Sequence, residues 1–263
     1  MDRALRTAAT GMYAQQLNVD AIANNLANVN TTSFKETRVE FQDLMYQTIR
    51  ATGVSSQPGS EPPAPLEVGD GTIPSSTTRN FSQGELTPTQ NQLDFAIQGD
   101  GFFTVRMPDG TESYTRDGSF KISGDGNLVT SDGYLVEPGF TIPQDTTSIA
   151  VAADGTVQAT VSGQTNPVTL GQIQLTKFVN PAGLHGIGNN LYQETVASGT
   201  PILGNGNTTG FGQVQQGYLE SSNVSIVDEM VKMIEAERAY ELNSKAVQTA
   251  NTMMQLADNL KTS

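Results

Sequence analysis

DRALRTAATGMYAQQLNVDAIANNLANV, residues 2–29, is the stretch from which the rest of the chain is read. Leu5, Met12, Val19 and Leu26 recur every seven residues, and Ala8, Gln15, Ile22 and Val29 follow each of them by three. That is the a/d spacing of helices winding on one another, with one polar break at Gln15. The far end repeats it. Within NVSIVDEMVKMIEAERAYELNSKAVQTANTMMQLADNL, residues 223–260, Ala239, Ala246, Met253 and Leu260 form one row; Leu242, Thr249 and Leu256 form another. The pattern predicts a helix at each extremity, the first roughly 40 Å long at 1.5 Å per residue. Gly11, Asn24, Asn25, Asn28 and Asn30 weaken that first helix. The asparagines have two readings: they cap and solvate a fraying end, or several of them hydrogen-bond side chains or backbone across a packed interface. Helices this short are marginal alone in water, so this one is expected to be poorly ordered in the free monomer and to fold against neighbours.

The chain has 263 residues, enough for one large or two modest domains. It has no Trp and 26 Gly, which points to an elongated, turn-rich molecule. It carries 14 Lys+Arg against 27 Asp+Glu, a net charge of −13. Residues 1–50 are neutral and residues 217–263 carry −3, which leaves −10 in 51–216. This sign excludes a nucleic-acid partner, whose phosphates require basic patches. Near-neutral ends can pack on one another while an acidic middle stays solvated. With no Cys there is no disulfide or thiol chemistry. No apolar run approaches the roughly 18–20 residues of a membrane span, so the chain is read as not membrane-spanning. The amphipathic N-terminus also lacks the compact apolar core of a signal peptide, so any export is expected to leave it uncleaved.

Between the ends the texture changes. Thr31-Thr-Ser33 breaks the helix, and Phe41, Leu44, Met45 and Ile49 make a short helical stripe across Phe34–Arg50. Pro58, Pro62, Pro63, Pro65 and Pro74 then mark 51–78 as an extended loop or strand edge. From Asn80 onward short apolar runs alternate with Asp-Gly pairs at 109–110, 117–118, 125–126, 132–133 and 154–155. That spacing predicts strands in a sandwich or barrel-like domain, with Phe102, Phe103 and Phe120 in its core. Ser222 or Asn223 is the expected N-cap of the last helix, with Asp228 and Glu229 at its positive end. The expected fold is α+β: N- and C-terminal helices pairing as a coiled coil around a central mainly-β domain. The expected division is 1–34 plus 223–263 as the helical domain, 35–80 as a connecting segment with the Pro-rich loop, and 81–222 as the β-rich outer domain.

Several stretches carry a resemblance. Ala23-Asn-Asn-Leu-Ala-Asn28 with Thr32-Ser-Phe-Lys35 resembles the N-terminal signature of the bacterial flagellar rod and hook family. Ser82-Gln-Gly-Glu-Leu86, Asp94, Ala96-Ile97, Gly99, Gly101-Phe-Phe103 and Tyr114-Thr-Arg-Asp-Gly-Ser-Phe120 are similar to its middle motif. Gly217-Tyr218, Glu220-Ser-Ser-Asn-Val224 and Arg238-Ala-Tyr-Glu-Leu-Asn-Ser-Lys-Ala246 resemble its C-terminal signature. Phe41-Gln-Asp-Leu-Met-Tyr-Gln-Thr48 and the chain length look most like the distal-rod branch, in which 51–78 falls where an insertion is tied to straightness of the rod. The resemblance implies a structural subunit that self-assembles into a rigid helical tube, crosses the periplasm, transmits torque and encloses an export channel. It implies a homo-oligomer in the basal body, with proximal rod proteins, the hook protein, the peptidoglycan- and outer-membrane-associated rings and the flagellar type III export apparatus as partners.

Chemistry finds little support in the residues. His185 is the only histidine and has no Cys to join it in a metal site; the Asp-Gly turns lack the order of a calcium loop, so no cofactor, metal or catalytic residue is expected. Two rivals stay open: a proximal rod paralogue, and a secreted carboxylate-dependent cell-wall glycan hydrolase. The interface candidates are Leu5, Met12, Val19, Ile22 and Leu26, facing Leu242, Ala246, Met253 and Leu256 within one subunit or across neighbours, together with Asn24, Asn25 and Asn28. Val19→Asp is expected to leave a soluble monomer that cannot polymerise, because a charge would be buried unpaired; electron microscopy showing normal rods from this variant would contradict the helix assignment.

Overall fold

The computed structural model describes residues 2–50, 64–164 and 166–262. Of the Pro-rich stretch, Pro58, Pro62 and Pro63 lie outside the described residues. The chain forms two compact units: the described residues of Met1–Ala27, Thr37–Arg79 and Ser225–Ser263 make one, and Asn28–Glu36 with Asn80–Val224 make the other.

The first unit holds both helices, α1 (Asp2–Ala27) and α2 (Ile226–Thr262). They pack antiparallel. Asn25 reaches Glu229 near one end, and a side chain at Gly11 would press on Asn243 at 2.9 Å near the other. These two contacts lie fourteen residues apart on each helix, so a single register links them. In that register the residues of α2 beyond Met254 run past the N-terminal end of α1. The N-cap of α2 is Ser225, not Ser222 or Asn223: its Oγ accepts the Asp228 N–H and its carbonyl accepts the Glu229 N–H. Asp228 and Glu229 stand in the first turn, as expected.

The helical stripe expected over Phe34–Arg50 is overturned. Thr37–Asp43 is a strand paired antiparallel with Thr72–Arg79, and Tyr46–Arg50 is another, paired with Leu66–Gly69. Thr37, Val39 and Phe41 alternate with Arg38, Glu40 and Gln42, and this period of two prevails once a partner strand is supplied. The hydroxyls of Ser76 and Thr78 donate to Glu40 across the pair.

The second unit is mainly β. Among the described residues its largest sheet has nine strands, ordered His185–Gly188, Leu191–Gln193, Glu112–Thr115, Phe102–Arg106, Leu135–Val136, Leu128–Val129 and Lys121–Ile122, with Gln174–Lys177 and Ile202–Asn205 branching from Phe102–Arg106. The strands at the two ends of that order do not pair, so no closed barrel forms. Thr146–Val151, Thr156–Val161 and Val168–Gln172 make a three-stranded sheet. Alternation along Phe102–Arg106 sends neighbouring rings to different clusters. Phe103 and Phe120 join Phe95, Leu175 and Val214 in the main core, while Phe102 packs with Tyr114, Phe178 and Tyr192. In the second cluster Tyr114 and Phe178 meet edge to face at 4.8 Å.

Gly118 is where the Asp117-Gly118 pair requires glycine by space: its carbonyl accepts the Phe95 N–H at 3.0 Å, and a Cβ would land on the Phe95 carbonyl oxygen. Gly118→Ala is expected to destabilise the chain by about 3 kcal/mol, the upper range for overpacking, read as a lowered urea midpoint.

Candidate functional site

The β-rich unit contains a buried ion centre assembled from four distant stretches. Ser33, just after α1, adopts a left-handed backbone with φ of 57°. That turn aims its N–H at the Glu220 carbonyl (2.8 Å) and its hydroxyl at the Arg116 carbonyl (2.8 Å). It also places Lys35 inside the body. The Lys35 ammonium donates to Glu220 Oε1 at 2.6 Å and to the Ser82 carbonyl at 2.8 Å. Glu220 closes the strand Tyr218–Glu220, which pairs with Leu86–Pro88. Its Oε1 also accepts the Gly84 N–H at 2.9 Å, and its Oε2 accepts Arg116 Nε at 2.9 Å. Arg116 spends a further N–H on the Gly99 carbonyl at 2.8 Å. The Lys35 and Glu220 side chains are fully buried and Arg116 nearly so. Asn223 completes the junction: its Oδ1 accepts the Glu36 N–H at 2.8 Å, and its Nδ2 donates to the Asn80 carbonyl at 2.8 Å.

Two cations therefore share one carboxylate. Burial pushes the Lys35 ammonium below its ordinary value of 10.5; Glu220 opposes that shift, and the neighbouring Arg116 reinforces it.

The helical unit has its own polar anchor. Asn25 is buried, and its amide makes a two-way bond with the Thr37 backbone, donating to the carbonyl and accepting from the N–H, each at 2.9 Å. The same Nδ2 donates to buried Glu229 at 3.0 Å. Asn25 thus follows the second reading of the asparagines, bonding across a packed interface. Asn28 serves the turn that ends α1: its carbonyl accepts the Thr31 N–H and its side chain accepts the Thr31 hydroxyl. Asn24 is exposed.

Within the single chain the apolar candidates fall into covered and open sets. The row of α1 nearest α2 runs through Gly11, Ala14, Ile22 and Asn25. Ile22 belongs to it and is buried. Leu5, Met12, Val19 and Leu26 lie about a quarter-turn away at 100° per residue and are half-buried. On α2 the covered row is Glu229, Met233, Ala236, Asn243, Val247, Ala250 and Met254. Ala246, Met253 and Leu242 lie about 80–120° round the helix from that row and Leu256 about 160°; all are exposed, with Leu242, Met253 and Leu256 at 66%, 49% and 59% of full accessibility. Their side chains stand largely in the open within the single chain. Both sets repeat at the same period, so periodicity could not tell the covered row from the open one. Ile226, Val227, Met230, Val231 and Ile234 extend the exposed apolar surface toward the start of the helix.

Lys35, Arg116, Glu220 and Ser33 were not singled out from sequence. The available signal was that each falls in a stretch that resembles the rod and hook family. Among the described residues no group of His, Cys, Asp and Glu could hold a metal ion, and no helix is long and apolar enough to cross a membrane. A cavity of about 520 Å³ beside Thr146–Val151 is lined by Gln90, Asn91, Gln92, Ile142, Gln144 and their neighbours, with no carboxylate.

Family profiles match at three places along the chain. Residues 5–35 match the flagella basal body rod protein, residues 96–159 the flagellar hook protein FlgE/F/G D1 domain, and residues 215–260 the flagellar basal body rod FlgEFG protein C-terminal region. The chain belongs to the flagellar rod and hook family. Its full-length relatives point to one branch of that family. The flagellar basal-body rod protein FlgG of Borreliella burgdorferi is 51% identical over 99% of both chains. FlgG of Caulobacter vibrioides is 50% identical over 98% of this chain and 99% of its own. The rod protein FlgF of the same organism is 33% identical over 93% and 92%.

Lys35 holds its proton less tightly in the folded chain than in the unfolded one. Between the depressed folded value and 10.5 the unfolded chain therefore binds more protons, and stability rises with pH across that window. Lys35→Met removes this contribution. Urea unfolding of both proteins at pH 7 and near pH 10.5 is expected to show the native chain gaining on the variant as pH rises; a constant difference would contradict an under-neutralised Lys35.

Proposed function

We propose that the chain is a structural, non-enzymatic subunit of the distal rod, polymerising into a helical tube through the open apolar face of α2. The observation that carries this reading is that α2 holds, beyond the row turned to α1, a further set of apolar side chains from Ile226 to Leu260 that stand exposed in the single chain. An apolar stripe left in water is unfavourable at about 25 cal/mol per Å², and contiguous exposed apolar surface marks an interaction site. The half-buried row Leu5, Met12, Val19 and Leu26 supplies complementary surface on a neighbouring copy, which makes the coiled coil an intersubunit feature. The functional division follows the two units: the described residues of 1–27, 37–79 and 225–263 carry the assembling helices, and 28–36 with 80–224 form the β-rich body. The acidic middle keeps the outer surface solvated. In this reading the tube spans the periplasm, adjoins proximal rod, hook and ring proteins, and is delivered by the type III apparatus. The higher identity to FlgG than to FlgF favours the distal branch over the proximal rod paralogue. Relatives that are rod proteins weigh against the glycan hydrolase.

Because Met253 and Leu256 are exposed in the single chain, Met253→Asp and Leu256→Asp are expected to change monomer stability by no more than about 0.5 kcal/mol while abolishing polymers. Sedimentation and electron microscopy of the purified variants check this. Rods of normal length and number from the double variant would sink the assignment of this face.

A further inference from the structure

The buried ion centre joins residues separated by 185 and 104 positions, and one carboxylate serves both cations. We propose that Glu220 acts as a latch: the segment Asn28–Glu36 locks onto the β-rich unit only after the strand Tyr218–Glu220 is in place. Lys35 enters a fully buried position beside Arg116, another buried cation. Without Glu220 the remaining acceptors are neutral carbonyls, Ser82 for Lys35 and Gly99 for Arg116. Two like charges in a dry site repel and lose their hydration, and neutral carbonyls do not offset both costs. The cores of the body, in contrast, are built from side chains between Phe95 and Val214 and need nothing from residue 220. The body can thus form first and the N-terminal segment last.

This order has a use in a chain that crosses the envelope unfolded, a clause that rests on the proposed function. Whichever end emerges first, the latch cannot close until both residue 35 and residue 220 are across. Incomplete or truncated chains would keep 28–36, and the helix that precedes it, unlocked. The latch itself is a property of the isolated chain and stands or falls without reference to export.

Hydrogen exchange of the full-length monomer, read by NMR or mass spectrometry, tests it. Two amides report directly: Ser33 N–H, bonded to the Glu220 carbonyl, and Glu36 N–H, bonded to Asn223. Glu220→Gln keeps the side-chain shape and an acceptor for Gly84. It is expected to speed exchange at these amides about 100-fold or more while amides of Phe95–Gln98 and Phe102–Arg106 change less than about 3-fold. The double variant Lys35→Met/Glu220→Gln, with one cation removed, is expected to recover about 10-fold of the lost protection. Unchanged exchange at Ser33 and Glu36 in Glu220→Gln overturns the proposal, since backbone bonds alone would then hold the segment. Equal loss across the whole β-rich unit overturns it too, because Glu220 would be a general stabiliser. A double variant no better protected than the single one removes the charge argument.

Discussion

A single carboxylate, that of Glu220, holds together the buried polar junction of the β-rich unit. It pairs with both Lys35 and Arg116, accepts the Gly84 amide, and sits on a strand whose backbone also holds Ser33. A buried charge is tolerable only when paired and hydrogen-bonded, so each of these partners constrains the others. Four stretches that are far apart in the chain are thereby tied to one point, and the left-handed turn at Ser33 is held by the bonds made there. Compared with the apolar clusters around Phe103 and Tyr114, which tolerate approximate shapes, the ion centre admits one arrangement.

The helical unit is governed by a different constraint. A helix of 37 residues with apolar side chains spread round much of its circumference cannot bury them all against one partner of 26. Asn25 and Glu229 fix which row is used, because their hydrogen bond and the Thr37 backbone bonds are available in only one register. Gly11 reinforces that choice, since any side chain there would meet Asn243. What remains exposed runs from Ile226 to Leu260, and it is the face that the proposed function assigns to neighbouring copies. The chain carries more apolar helix than it can cover by itself.

The relation between sequence and structure differs from part to part. The two helices and their extent were legible, because a seven-residue repeat is a local property; α1 ends at Ala27, two residues short of the repeat, where the Asn28 turn takes over. The turns were legible for the same reason. Gly110, Gly126, Gly133 and Gly155 of the Asp-Gly pairs all adopt positive φ, near 85°. Phe41, Leu44, Met45 and Ile49 misled, since a helical spacing can be found in a stretch whose alternating Thr37, Val39 and Phe41 pairs with Thr72–Arg79. The ion centre was illegible from spacing: isolated charges in a chain give no sign of which will meet, and only their position within family-like stretches set them apart.

By itself, then, the order of residues determined the elements: helices at both ends, short strands between Asp-Gly turns, an acidic middle and the family to which the chain belongs. These rest on periods and turn chemistry that act over a few residues. Only the tertiary structure decided which row of α2 is covered, that Phe34–Arg50 becomes strand, and that Lys35, Arg116 and Glu220 share one dry site. Those choices depend on partners brought from tens to nearly two hundred residues away, and the free energy of pairing and burial exists only once the partners are together.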